Sequence, residues 1–257
     1  MSIRVTRPEP AIVELIIDNP PVNALPVAGW FRLADALREA GRDRTCHVVV
    51  LRAEGRGFQA GVDIKELAAH EADGGGHDML VDVNRGCYEA FAAVYDCPVP
   101  VVAAVHGYCL GGGIGLTGNA DIIIASGDAT FSLPEVDRGA LGAATHLQRL
   151  VPHHKARAML YTCAPATAAE LHAFGSVLQV VPRDQLRDAA LAVARGIAVK
   201  DPAVVRAAKA ALNGIDLHDV KRSYRYEQGF TFEMTLIGSG EKARKDFAIK
   251  PSKATSG

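Results

Sequence analysis

Along the chain, short apolar runs alternate with glycine- and proline-bearing turns and longer stretches of helical period. Ile3–Thr6 and Ile12–Ile17 are apolar runs separated by Pro-Glu-Pro, which predicts a β-hairpin with proline confined to the connection. From Pro26 to Arg42, Trp30, Leu33, Ala34 and Leu37 recur at helical spacing, with Pro26 suited to a first turn. Strands are predicted at His47–Arg52, Val101–Val105 and Asp121–Ala125. Between residues 68 and 77 the run AAHEADGGGH predicts a mobile surface loop, a candidate lid, ahead of a long helix over Asp78–Tyr95. From Asp184 onward nearly everything is helical in period: Asp184–Lys200, Pro202–Leu212, His218–Leu236 and Glu241–Ile249, with Asp201 and Pro202 forming an N-cap and first turn. Repeated strand, turn and helix predict an α/β fold.

Composition narrows the function classes. The chain has 257 residues, 49% of them apolar, enough for a large core. With 28 basic against 29 acidic side chains, no domain-wide basic excess exists to neutralise phosphates, so no nucleic-acid partner is expected. The N-terminal MSIRVTRPEP has no signal-peptide core and no apolar stretch is long enough to span a bilayer, so no membrane association and a cytoplasmic location are expected. Five cysteines (Cys46, Cys87, Cys97, Cys109, Cys163) lack zinc spacing and are odd in number, so they read as buried thiols with no metal site.

Candidate chemistry lies at two glycine-bearing turns, each following an apolar strand. One is Gly57-Phe58-Gln59-Ala60-Gly61-Val62-Asp63-Ile64-Lys65-Glu66; the other is His106-Gly107-Tyr108-Cys109-Leu110-Gly111-Gly112-Gly113-Ile114-Gly115. Small residues let backbone N–H groups approach a ligand, and two convergent donors can hold an oxyanion. Either turn alone is equally explained by close backbone packing. A dinucleotide-binding reading of Gly111–Gly115 lacks the N-terminal βαβ unit with an acidic residue ending its second strand.

F-Q-A-G-V-D-I-K-E, then H-G-Y-C-L-G-G-G about fifty residues later, then F-S-L-P-E at 131–135 together resemble the crotonase (enoyl-CoA hydratase/isomerase) superfamily. Asn19-Pro20-Pro21-Val22-Asn23-Ala24-Leu25 is similar to that family's first strand-to-helix turn, and Phe247 with Lys250 to its C-terminal CoA-binding segment. The resemblance implies a spiral core of ββα turns over residues 1–200 carrying the CoA site. It also implies a helical trimerisation region over 201–257, giving homotrimers or homohexamers. It implies further that the N–H groups of Ala60 and Gly112 hold the thioester oxygen. Gly61, Val62, Asp63, Ile64 and Lys65 would cradle the adenine end of CoA, which enters as part of an acyl-CoA substrate, with no tightly bound cofactor.

Hydratases of this family use two glutamates. Glu135 matches one of them, but the position of the other is Gly115, which has no proton to transfer and puts two-glutamate hydration in doubt. Glu135 beside Leu133 and Val136 is expected to have its pKa raised by desolvation. His146 is a candidate second acid–base group or a structural histidine at a helix start. Asp137 and Arg138 read as a local or intersubunit ion pair, and Glu227 as a helper reaching a neighbouring subunit's site or a solvated helix charge.

The stretches G-R-G-F-Q-A-G-V-D-I-K-E, P-E-V-D-R-G-A-L-G-A-A-T-H-L and S-Y-R-Y-E-Q-G-F-T-F-E are closer still to one actinobacterial branch of the superfamily. That branch acts on the last two steroid rings and hydrolyses a carbon–carbon ring bond of a bicyclic indane-dione carboxyl-CoA. The resemblance implies a retro-Claisen cleavage through an enolate held at Ala60 and Gly112. The alternatives are an enoyl-CoA isomerase, working with one carboxylate, a hydratase, and, from a different class, a non-catalytic CoA-binding or assembly protein.

Overall fold

In the computed structural model the described residues are 2–239. Phe247, Lys250 and the predicted helix 241–249 lie outside them. In chain order the elements are β1 (Ile3–Glu9), β2 (Ile12–Ile17), α1 (Val27–Arg42), β3 (Val48–Ala53), α2 (Ile64–Ala72), α3 (Asp78–Tyr95), β4 (Val101–Val105), β5 (Tyr108–Leu110) and α4 (Gly112–Thr117). There follow β6 (Ile122–Ser126), β7 (Thr130–Ser132), α5 (Ala144–Leu147), α6 (His153–Thr162), β8 (Ala166–Thr167), α7 (Ala168–Ala173), β9 (Gln179–Val181), α8 (Leu186–Ala198), α9 (Pro202–Gly214) and α10 (Val220–Leu236).

One sheet runs β1-β2-β3-β4-β6-β9, antiparallel between β1 and β2 and parallel thereafter; a smaller sheet runs β5-β7-β8. Strands β2 and β4 are buried along their whole length, which explains their continuous apolar sequence: an interior parallel strand is covered on both faces. Alternate residues serve two cores. Val13, Leu15, Ile17, Val49 and Leu51 face α1 and α3, while Ile12, Val48, Val50, Val102 and Ile124 face α8. Glu14 shares the α8 face by the two-residue strand period. It is buried, accepts from Arg52 Nε at 2.9 Å and Arg187 Nε at 2.8 Å, and so ties α8 to the sheet. Burial pushes its carboxyl upward, but the hydrogen bonds and charges of Arg187 and Arg52 outweigh that and hold it below the usual value.

Several boundaries differ from the sequence expectation. Strand β1 continues through Pro8 to Glu9, because β1 is an edge strand whose pairing is irregular between Thr6 and Glu9, where a missing N–H costs no ladder bond. Helix α2 runs on to Ala72, so only 73–77 of the predicted loop connect α2 to α3. Asp63, whose carboxylate accepts from the Lys65 N–H, caps its start. Periodicity missed β5, β7 and β8, which are two or three residues long, and also α6 and α7. Cys163 is only partly buried, unlike the other four cysteines, and all five are free thiols. No helix among the described residues is long and apolar enough to cross a membrane.

The C-terminal helices pack back on the core. Lys209 of α9 is buried and donates to Val94 O (3.3 Å), Val99 O (3.2 Å) and Asp121 Oδ2 (2.7 Å). These acceptors sit at the end of α3 and beside the starts of β4 and β6, so one ammonium fixes α9 against three elements. Replacing it leaves buried acceptors unpaired. Lys209→Met is expected to lower stability by about 2 kcal/mol in urea denaturation, whereas Lys221→Met, breaking the exposed pair with Asp96, should leave the midpoint nearly unchanged.

Candidate active site

The two glycine-bearing turns lie against each other. Gln59 N donates to Tyr108 O at 3.2 Å, and Leu110 N donates back to Gln59 O at 2.8 Å. The fully buried Gln59 side chain folds onto its own turn: Nε2 donates to Gly61 O at 2.7 Å and Oε1 accepts from Gly61 N at 2.6 Å. Gly61 O also accepts from Leu25 N at 3.0 Å, and Asp63 N donates to Leu25 O, which joins the 19–25 turn to the same assembly. A Cβ placed on Gly61 would stand 3.8 Å from Gly112 N, so the backbones of the two turns approach to van der Waals contact. Neither the Ala60 N–H nor the Gly112 N–H has a partner among the described residues. Gln59 escaped the sequence reading; the available signal was a polar residue between Phe58 and Ala60 in an otherwise apolar segment.

Glu135 closes over the second turn. Gly111 has φ +52°, and a Cβ there would meet Glu135 Oε1 at 2.3 Å, so only glycine admits the carboxylate this close to the turn. Glu135 Oε2 is buried without a hydrogen-bond partner. Burial pushes the Glu135 carboxyl up to about 8; its own backbone N–H and the charge of Arg138 oppose this, and the charge of Glu227 adds to it. The residue is therefore poised to accept and return a proton near neutral pH.

At Gly115 the structure accounts for the missing second carboxylate. A Cβ there would lie 2.2 Å from Cζ of Phe91, so the phenyl ring of α3 fills the space that a side chain at position 115 would occupy. Phe91 stands edge-on to Trp30 (5.7 Å, 88°) and to His146 (5.1 Å, 75°), between the two.

His146 has the features of a structural histidine. It is buried against Phe91 and Tyr224, and burial, with a smaller contribution from the charge of Arg149, pushes it down to about 3, so it is neutral at ordinary pH. Asn119 Nδ2 donates to Gly115 O at 2.9 Å and to His146 Nδ1 at 3.1 Å. A neutral imidazole accepting at Nδ1 carries its proton on Nε2, so His146 braces α4 through Asn119.

Glu227 of α10 is neither a solvated charge nor extended away from its own chain. Its carboxylate accepts from Ala144 N (2.8 Å), Thr145 N (3.1 Å) and Thr145 Oγ1 (3.2 Å), capping α5. Burial raises its pKa against the pull of those bonds. Asp137 approaches Cys163: burial pushes that thiol up, and the backbone and carboxylate of Asp137 act on it in opposite directions. Of the proposed CoA cradle, Gly61 and Val62 are fixed by bonds to Leu25, Asp63 caps α2, and Ile64 and Lys65 open that helix.

The family profile described as enoyl-CoA hydratase/isomerase matches residues 7–244. A protein of Rhodococcus jostii RHA1 is 60% identical over 96% of this chain and 94% of its own. One from Mycobacterium tuberculosis H37Rv is 59% identical over 97% and 100%. Both are named (7aS)-7a-methyl-1,5-dioxo-2,3,5,6,7,7a-hexahydro-1H-indene-carboxyl-CoA hydrolase. The crystal structure of an enoyl-CoA hydratase/isomerase from Xanthobacter autotrophicus Py2 superposes with TM-score 0.85 at 27% identity, covering 96% of this chain and 91% of that one. The six-stranded sheet with its covering helices is accordingly a crotonase fold, and this chain belongs to the enoyl-CoA hydratase/isomerase family.

Proposed function

We propose that this protein hydrolyses a carbon–carbon ring bond of a bicyclic oxo-carboxyl-CoA thioester, in degradation of the last steroid rings. The two relatives near 60% identity carry a hydrolase name for such a substrate. The observation that carries the reading is the pairing of Gly115 with Phe91, which removes one acid–base group and fills its space. Hydration across a double bond by two carboxylates has no side chain at position 115 to supply the second, whereas hydrolytic cleavage can proceed with one proton carrier.

The residues then divide the work. Glu135 takes a proton from water as its oxygen bonds to the ring ketone carbon, and the carbonyl electron pair moves to oxygen. When that pair returns, the adjacent ring bond breaks, leaving a carboxylic acid, and its electrons delocalise to the thioester oxygen. Ala60 and Gly112 N–H donate to that oxygen, and Glu135 returns its proton to carbon. Two fixed donors in a water-poor site stabilise the enolate preferentially, each worth about 3–4 kcal/mol. The reaction as written needs no cofactor or metal; CoA arrives with the substrate, its adenine end at Gly61–Lys65. His146 is assigned a positioning role through Asn119 instead of the acid–base one.

The same reading takes residues 1–200 as the core with the CoA site and 201–257 as the oligomerising region of a homotrimer or homohexamer. Val204, Leu212, Ile215, Leu217, Leu236 and Ile237 are all more than 60% exposed there, a concentration of apolar surface that a monomer would leave in water. A cytoplasmic location accords with five free thiols. Sedimentation is expected to give three or six chains per particle; a monomer at micromolar concentration would refute the assembly.

In oxygen-18 water, turnover of the bicyclic thioester should place one labelled oxygen in the new carboxylate. Isomerisation or hydration with the ring intact would overturn the hydrolase reading. Glu135→Gln should lower kcat at least about 100-fold. In the wild type, kcat/KM should rise with pH and level off above about 8, where Glu135 is ionised. Stability runs the other way. The folded pKa of about 8 exceeds the ordinary 4.5, so the folded protein keeps a proton that the unfolded chain has lost, and Glu135 weakens folding as pH climbs between those values. Glu135→Gln should therefore raise Tm at pH 8, with little gain at pH 4.

A further inference from the structure

Trp30 is the only tryptophan in the sequence. Its side chain is fully buried, yet Nε1 has no hydrogen-bond partner among the described residues. An indole N–H can only donate, and a buried one is ordinarily paired, so an orphan of this kind calls for an acceptor from outside the described residues. The ring is rigidly held. A Cβ at Gly86 would meet Trp30 Cβ at 3.0 Å, and the Phe91 ring packs edge-on against the indole. Its six-membered ring lies on the second turn: a Cβ at Gly112 would be 2.4 Å from Cη2 and 2.8 Å from Cζ2. Cζ2 and Nε1 are bonded to the same ring carbon, so the N–H is on the edge of the indole that borders Gly112.

The hydrolysis puts negative charge on two oxygens in turn, the ring ketone oxygen when water adds and the thioester oxygen when the ring bond breaks. The backbone donors at Ala60 and Gly112 serve the thioester. We propose that the Trp30 indole N–H is the donor for the other oxygen, binding the ring ketone beside Gly112 and stabilising the alkoxide formed as water adds. The proposal rests on the hydrolase reading above. Three other residues with a buried polar atom unpaired among the described residues are placed for other tasks. Glu135 Oε2 belongs to the proton carrier, His146 is across the Phe91 ring, and Tyr108 lies over Gly57, near the charges of Arg56 and Arg183.

Being unique, the Trp30 indole N–H gives a single side-chain signal in a proton–nitrogen NMR spectrum. The experiment titrates Glu135→Gln, in which ligand persists, with CoA, with a hexahydroindene-carboxyl-CoA thioester bearing the ring oxo group, and with the same thioester carrying a methylene in its place. The expected result is a downfield shift of the indole proton with the oxo thioester alone. Trp30→Phe, which keeps an aromatic ring and removes the N–H, should lose on the order of 100-fold in kcat with little change in KM. Equal indole shifts with both thioesters, or full turnover by Trp30→Phe, would overturn the assignment. Failure of the wild type to open the ring would instead sink the hydrolase reading, so the two ideas fail separately.

Discussion

The hydrogen bonds of Gln59 are what the remainder of the site depends on. Its backbone joins the first turn to the second through Tyr108 and Leu110, and its side chain satisfies both backbone groups of Gly61. A buried amide left unpaired would cost more than the net worth of the bonds it makes, so complete local satisfaction keeps the turn in one conformation. With Gly61 held, the N–H groups of Ala60 and Gly112 remain without partners among the described residues. Donors of that kind need no reorganisation when charge develops on a substrate oxygen.

Against this fixed frame, α1 and α3 bring aromatic side chains onto the glycine run. Phe91 occupies the space above Gly115, and Trp30 the space above Gly112. Both packings need glycine, so the run Gly111–Gly115 is a surface onto which bulky groups close, as well as a backbone ligand. Glu135 beside this run is also desolvated. Buried, with one oxygen unpaired among the described residues, it holds its proton far more tightly than a carboxylate in water. On the proposed function, folding stability and proton transfer are set in opposition at one residue, as is usual where a polar group is buried for chemistry.

The helical C-terminal part is stitched to the core by buried polar contacts. Lys209 reaches three elements, Gln228 donates to Asn84 O at 2.8 Å, and Glu227 caps α5. Tyr224 of α10 enters the main core beside Phe91 and His146. Helix α10 therefore supports the wall behind the reacting groups, while its apolar outward residues remain for another surface.

Sequence alone determined the long elements, the two glycine turns, the Glu135 position and the family. Each of these is written in local spacing: apolar period, capping residues such as Asp201 before Pro202, and motifs whose residues are chain neighbours. It missed short strands, because two or three residues carry no period, and misplaced Pro8 and the end of α2, because edge position and capping override local composition. Tertiary structure decided what Gly115 means. The absence of a carboxylate can be read in the sequence, but the Phe91 ring that replaces it comes from 24 positions earlier and only packing brings them together. The neutral state of His146, the capping role of Glu227 and the orphan N–H of Trp30 were decided in the same way. Burial and hydrogen-bond partnership are properties of surroundings assembled from distant segments, and no local pattern encodes them.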